Sequence, residues 1–323
     1  MRRALVATVR NEEARLPEFL ASLERQTVRP DVIVVTDGGS TDHTPELLRT
    51  FASQTPVPFR WAPAPGNRSR GRNEAIRLAD ADVIAVTDVS VLDPSWFGRI
   101  VAPIEAGTAD LVSGWYELRV ESLRERTIGL LTQYSLDQVR EDTFLPSSRS
   151  VAFRRDLWER AGGYPEAFSG NEDTIFDLAA ERLRPGKVFV KDAIVRWRPA
   201  PSARAVYRQY KRYAEGDGQA AIFLTTGTRY AALYAAYGLG IALLLLLGAF
   251  WPPLELLLVL LVLGYVGFRI RKIVRARLWL QIPYAVLVVL AWDWGRIIGY
   301  TKGRWDRLRH GGERYRYGPS NDA

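Results

Sequence analysis

The sequence has no cysteine, two histidines (His43 and His310) and one methionine in 323 residues. The lack of cysteine excludes disulfide staples, thiolate metal sites and cysteine nucleophiles, and it is compatible with any redox compartment. With only two histidines, a multi-histidine metal centre is not expected. A secretory leader is also missing from the reading: Met1-Arg-Arg runs into an apolar stretch, residues 4–9, too short for a signal core and without a cleavage site. The N-terminal part is therefore expected to stay in the cytoplasm. No internal repeat or low-complexity tract stands out.

Base is in excess, with 44 Lys+Arg against 36 Asp+Glu and a net charge of +8. Such an excess suits nucleic acid, a membrane surface or an anionic substrate. Much of it flanks long apolar runs in the last third, which favours the membrane over nucleic acid. Residues 231–250 carry no charge over 20 positions, enough at ~1.5 Å per residue to cross a ~30 Å hydrocarbon core. Trp251-Pro252-Pro253 then turns the chain into a second segment, residues 253–269, whose apolar run 254–268 is broken only by Glu255. These read as two transmembrane helices forming a hairpin. Arg269, Arg271, Lys272, Arg275 and Arg277 follow as a loop without an acid, which the positive-inside rule assigns to the cytoplasm together with everything N-terminal. The third apolar segment, residues 278–298, contains Pro283, Asp293 and Arg296. A re-entrant or interfacial course is preferred over a third crossing, which would export a strongly basic tail. The expected division is a cytoplasmic domain, residues 1–220, and a membrane region, residues 221–323, in a multi-pass inner-membrane protein.

Before residue 100, strand-like and helix-like patterns alternate. Apolar runs at 4–9, 31–36 and 83–86 read as buried strands, a weaker one falls at 58–61, and helical spacing fills the intervals. Four alternations in about 95 residues signal a doubly wound α/β sheet. Residues 66–73, Gly-Asn-Arg-Ser-Arg-Gly-Arg-Asn, read as a polar loop. Later segments are less regular: short strands at 111–114 and 117–120, a helix over 122–140, edge strands at 188–190 and 194–197, and a basic, aromatic helix over 203–215. The strand at 83–86 ends at Asp88, where open α/β sheets place ligands. A carboxylate there either seats a divalent cation and a diphosphate or caps the next helix.

Several ordered motifs resemble the family 2 glycosyltransferases of GT-A fold, over roughly residues 4–215. Asn11-Glu12-Glu13 with Ser22 and Gln26 is similar to the family's opening, and Gly39-Ser40-Thr41-Asp42 to its second-strand turn. Gly71-Arg72-Asn73 matches its Gly/Ala-Arg-Asn signature. Asp88 falls where its DxD motif begins, although Ser90 replaces the second acid. Glu172-Asp173 matches its acidic pair, and Gln209-Tyr-Lys-Arg212-Tyr213 its QxxRW motif. Many relatives carry a histidine where Trp197 stands.

The resemblance implies an inverting transfer from a nucleotide-sugar donor to a lipid-linked or envelope glycan acceptor at the bilayer. Thr8 and Asp37, ending adjacent strands, would face the nucleobase, Asp37 accepting its N–H; otherwise Asp37 only shapes its turn. Arg72 would grip a phosphate with its forked donors, and Asp88 would hold Mg²⁺ or Mn²⁺. Asp173 would be the general base, leaving Glu172 as favourable charge at a helix N-terminus. Gln209, Arg212 and Tyr213 would cover the diphosphate and acceptor channel, with Ser147, Ser148 and Arg149 in the acceptor loop. Arg68 and Arg70 read as solvated charges and Asn73 as a structural cap. Ser90 and Trp197 motivate an alternative, a membrane-tethered nucleotide-sugar-binding protein without catalysis. A single geometric expectation underlies all of this: Asp37, Asp88 and Asp173 converge on one crevice.

Overall fold

A computed structural model describes residues 1–141, 144–222, 252–315 and 317–318, with isolated positions 234, 237, 238, 240, 242 and 246. The N-terminal two-thirds is a mixed α/β layered domain. Its strands are β1 (Arg3–Val9), β2 (Val32–Asp37), β3 (Phe59–Pro63), β4 (Val83–Thr87), β5 (Val91–Leu92), β6 (Leu111–Leu118), β7 (Val151–Arg154) and β8 (Lys187–Trp197). They form one sheet in the order β3-β2-β1-β4-β7-β6-β8-β5. β1 pairs in parallel with β2 on one side and β4 on the other, so the strand order reverses there. A crevice opens at the carboxyl ends of strands flanking such a switch point, whatever the sequence.

Alternation along the strands fixes which residues meet which helices. Leu5, Ala7, Ile33, Val35 and Ala85 pack with α1 (Leu16–Glu24), α2 (Thr44–Gln54) and α4 (Trp96–Glu105). Ala4, Val6, Val32, Val34, Ile84 and Val86 face the opposite layer, α3 (Arg68–Ala79), α6 (Arg155–Arg160) and α7 (Glu172–Arg182). Side chains two apart share a face, and buried strands of this kind need apolar residues on both.

Several local expectations are corrected. The stretch read as a polar loop enters helix at Arg68, because the Asn67 side chain accepts from the Arg70 amide at 3.0 Å and caps α3. Gly71-Arg72-Asn73 therefore lies on a helix. The two short strands near residue 115 are one strand, β6, with a register shift between Gly114 and Trp115. The two edge strands are likewise one strand, β8, which lies inside the sheet. The helix over 122–140 ends early, as α5 (Leu123–Thr132).

The expected first transmembrane segment, residues 231–250, falls largely outside the described residues. Two long helices follow, α9 (Pro252–Arg275) and α10 (Ile282–Arg309), with α8 (Ala203–Ala220) between them and the sheet. Arg269, Arg271, Lys272 and Arg275 lie in α9 rather than in a loop, where cations near a helix C-terminus offset the dipole. After a 3-10 turn, Trp279–Gln281, the third apolar segment runs on as one helix. Pro283 sits at the start of α10, where its missing N–H costs nothing, and the helix continues past Asp293 and Arg296. Among the described residues one helix is long and apolar enough to cross a membrane, Trp279–Arg309 with its leading 3-10 turn.

α10 lies flat on α8 because glycines remove what would separate them. A Cβ at Gly299 would stand 2.1 Å from the Lys211 carbonyl oxygen, and one at Gly303 2.0 Å from that of Glu215. The other side of α8 reaches the loop before α7 just as closely, where a Cβ at Gly216 would overlap the Gly170 carbonyl. Asn171, at φ 57°, donates to Asp217, and the Ser169 amide donates to Gln219 at 2.9 Å. Packing thus runs from the C-terminal helix through α8 to the segment that opens α7.

Candidate active site

A cavity of about 920 Å³ lies at the carboxyl ends of β1 and β4. Thr8 from β1, Arg72 from α3, Asp88 and Ser90 after β4, Ser148 and Arg149 before β7, Glu172 and Asp173 on α7, Trp197 from β8 and Gln209, Arg212 and Tyr213 on α8 all line it. Arginines outnumber carboxylates two to one on its wall, which suits an anionic ligand.

Asp37 is the exception among the expected site residues. It is not among the lining residues; its buried carboxylate accepts from the Ser40 amide at 3.1 Å and from the Ser40 hydroxyl. It shapes the turn that presents Gly38 to the cavity, so two of the three carboxylates, Asp88 and Asp173, share the crevice.

Each residue of Gly71-Arg72-Asn73 has a separate task. A Cβ at position 71 would come 2.1 Å from the Thr8 hydroxyl, so glycine lets α3 approach the strand ends. Asn73 accepts from the Tyr164 amide at 2.7 Å and donates to the Tyr164 carbonyl at 2.8 Å, tying α3 to the segment after α6. Arg72 donates to Glu172 at 2.7 Å, with its guanidinium over the Tyr164 ring at 5.2 Å. Its charge is thus engaged by a carboxylate, and Glu172, the first residue of α7, is a buried ion-pair partner as well as a charge at a helix N-terminus.

That pair governs its neighbour. Burial alone would raise the Glu172 carboxyl, but Arg72 and then Arg68 hold it down to about 2. Asp173 moves the other way: burial, then the negative charge of Glu172, raise it above the ordinary aspartate value. Its carboxylate accepts from the Thr174 amide at 2.9 Å. One turn further along α7, Asp177 is buried with Oδ2 unpartnered among the described residues, and burial followed by the charge of Asp173 raises it well above the usual range. The result is a carboxylate of increased basicity facing the cavity.

On the same cavity, Asp88 accepts from the Ser90 hydroxyl and lies 3.2 Å from Arg149 Nε. The Arg149 guanidinium sits over the Trp197 ring at 4.2 Å. A divalent cation finds one carboxylate and one hydroxyl here, and among the described residues no three His, Asp or Glu side chains gather to hold a metal. The donors suit Mg²⁺ or Mn²⁺ as a site shared with a bound diphosphate, since a single carboxylate suffices when phosphate oxygens and water fill the shell. On α8, Gln209 donates to the Tyr213 hydroxyl at 2.9 Å, and the Ser148 hydroxyl donates to that of Tyr164 at 3.1 Å.

Residues 5–160 match the family described as Glycosyl transferase family 2. They form a family 2 glycosyltransferase domain. Validoxylamine A glucosyltransferase of Streptomyces hygroscopicus subsp. limoneus is 32% identical over 109 residues, 33% of this chain and 24% of that protein. Beta-monoglucosyldiacylglycerol synthase of Synechocystis is 25% identical over 234 residues, 67% of this chain and 47% of that protein. The matched stretch covers less than two-thirds of the length of either relative. The mannosyltransferase PcManGT of Pyrobaculum calidifontis, solved with GDP-Man and Mn²⁺, superposes with a TM-score of 0.59 over 95% of this chain and 88% of that one, at 17% identity. S. aureus TarS 1-349 with UDP-GlcNAc gives 0.51 over 96% and 92%, at 16% identity. At such identities the likeness establishes the GT-A type of fold.

Within this glycosyltransferase domain, three features were not legible in the sequence. Arg68 lines the cavity while remaining exposed, the Arg72–Glu172 pair adjoins Asp173, and Arg149 meets Asp88 and Trp197. The only prior signals were the substitutions at Ser90 and Trp197, and neither names the partner.

Proposed function

We propose that this family 2 glycosyltransferase transfers a sugar, with inversion, from a nucleoside-diphosphate sugar to a lipid-linked or envelope glycan acceptor at a bilayer. The single observation that carries the reading is the presence of Asp173, raised in basicity, and Asp88 on the wall of one arginine-rich cavity. The acceptor hydroxyl oxygen attacks the anomeric carbon and its proton passes to the Asp173 carboxylate. The bond from that carbon to the diphosphate oxygen breaks, and the diphosphate leaves with the electron pair. Arg212 offers positive charge to the departing group, and Thr8 and Gly38 bound the nucleoside end. A divalent cation held by Asp88 and Ser90 together with the diphosphate would add further charge stabilisation there.

The membrane part of the reading rests on outward apolar side chains. Leu256, Leu260, Leu261, Leu263 and Phe268 on α9 and Leu280, Leu287, Trp294 and Leu308 along the last helical stretch are exposed. Burying them in lipid removes a large apolar area from water. The basic residues of α9 and α10 favour a cytoplasmic cavity by the positive-inside rule. The proposed division is a catalytic part, residues 1–220, and a multi-pass inner-membrane part, residues 221–323.

A panel of nucleotide sugars, read out by released nucleoside diphosphate with membrane extract as acceptor source, tests the reading. Turnover with one donor that Asp173→Asn abolishes supports it. Donor binding without turnover under any metal would favour a binding protein, a second reading motivated by the single motif carboxylate at Asp88.

A further inference from the structure

Arg149 is fixed at the cavity wall from four directions. Its backbone carbonyl accepts from the Thr87 hydroxyl at 2.9 Å, which ties it to the end of β4. Its Nε lies 3.2 Å from Asp88 Oδ2, and its Nη1 donates to the Ser147 hydroxyl at 3.3 Å. The guanidinium plane rests on Trp197 at 4.2 Å, with Tyr116 at 5.8 Å. A stacked guanidinium keeps its charge and loses little conformational entropy when it binds an anion. Asp88 alone would repel a diphosphate entering this cavity. A cation must stand beside it, and Arg149 already does.

The geometry points to Arg149 as a built-in cation for the donor's diphosphate, so that nucleotide binding persists when divalent metal is removed. The Ser90 hydroxyl points the same way, since it ligates a metal more weakly than a carboxylate and here donates to Asp88. Trp197 has a matching role, as the platform that holds the guanidinium in place. This inference rests on the donor reading above and adds a residue and a consequence to it.

The test is calorimetric titration of the full-length chain in nanodiscs with UDP and with GDP, in manganese and in EDTA. The wild type is expected to bind the preferred nucleotide with affinities within about threefold in the two buffers. Arg149→Gln should lose about ten- to a hundredfold in EDTA and recover part of that in manganese, as expected for loss of a charge-assisted contact. Arg149→Lys, charged but unable to stack as a plane, should fall between them. A wild-type affinity that drops more than tenfold in EDTA overturns the inference without any variant, as does an Arg149→Gln protein that binds like wild type in EDTA. Failure of both nucleotides to bind in either buffer removes the donor reading itself, which distinguishes the two failures.

Discussion

Arg72 and Arg269 each meet a carboxylate away from water, at 2.7 Å and 2.8 Å, and the two pairs do different work. Arg269 reaches from α9 to Asp293 on α10, and Asp293 also accepts from Tyr265 at 2.6 Å and Tyr237 at 3.0 Å. Its oxygens are saturated by donors, the Arg269 guanidinium is covered by Trp292 at 4.8 Å, and among the described residues no second acid joins it. That pair fastens helices. At the crevice, one arginine faces two adjacent acids, and Glu172 takes the close contact. Asp173 is left as a half-buried carboxylate without an ion-pair partner among the described residues, and burial with a neighbouring like charge raises it. The comparison teaches that a buried pair is structural when every lone pair is spent and chemical when one charge is left over.

The comparison breaks first at Asp173. Asp173→Asn should lower transfer by about 10²–10⁴-fold, the usual worth of a positioned base, while nucleotide affinity stays within about threefold. Steady-state rates against calorimetric affinity check this, and equal losses in both would remove Asp173 from the base role. Next, Arg269→Ala strands Asp293 without its cation and should cost about 3–5 kcal/mol of stability. Thermal unfolding in detergent measures it, and the pH dependence of any residual transfer should keep its shape.

Glu172→Gln sharpens the contrast through pH. Asp173 must be deprotonated to act, so transfer rises as pH climbs through its raised value. Removing the Glu172 charge takes away a cause of that rise and leaves Arg72 nearer to Asp173, so the acid limb of the rate profile should move to lower pH. The stability sign is the opposite kind of statement. Glu172 is depressed from 4.5 to about 2, so its contribution is present at neutral pH and is lost as pH falls toward 2. The variant should therefore be less stable than wild type at neutral pH, with the gap closing in acid.

The smallest effect is expected at Gly299→Ala. The added methyl forces α10 away from Lys211 and should cost about 1–3 kcal/mol, the range for overpacking. Because α8 carries both that contact and the loop before Asp173, the rate constant should fall modestly while nucleotide affinity holds.

The alternation of short β-branched runs with amphipathic spacing fixed the layered α/β domain, because side-chain period and strand length are local properties. It also located Asp88, since a carboxylate following a buried strand sits at the ligand end of any such sheet, and Asp88 does line the cavity. Asp37, Asp88 and Asp173 were expected in one crevice from motif order, and the structure sets two of them, Asp88 and Asp173, on the same cavity. The third, Asp37, is not on the cavity wall and accepts from the amide and hydroxyl of Ser40, three residues on. Local hydrogen bonds of this kind compete with any distant role.

Only the tertiary structure decided that Glu172 belongs to Arg72, that Arg149 belongs to Asp88 and Trp197, and that the last helix braces α8. Each joins residues far apart in the chain, so no window of sequence contains both partners. Sequence alone determines how each segment folds and which face it buries. Which charges finally meet depends on how close the backbones come, and here glycines at 71, 216, 299 and 303 set that distance by leaving no side chain in the way.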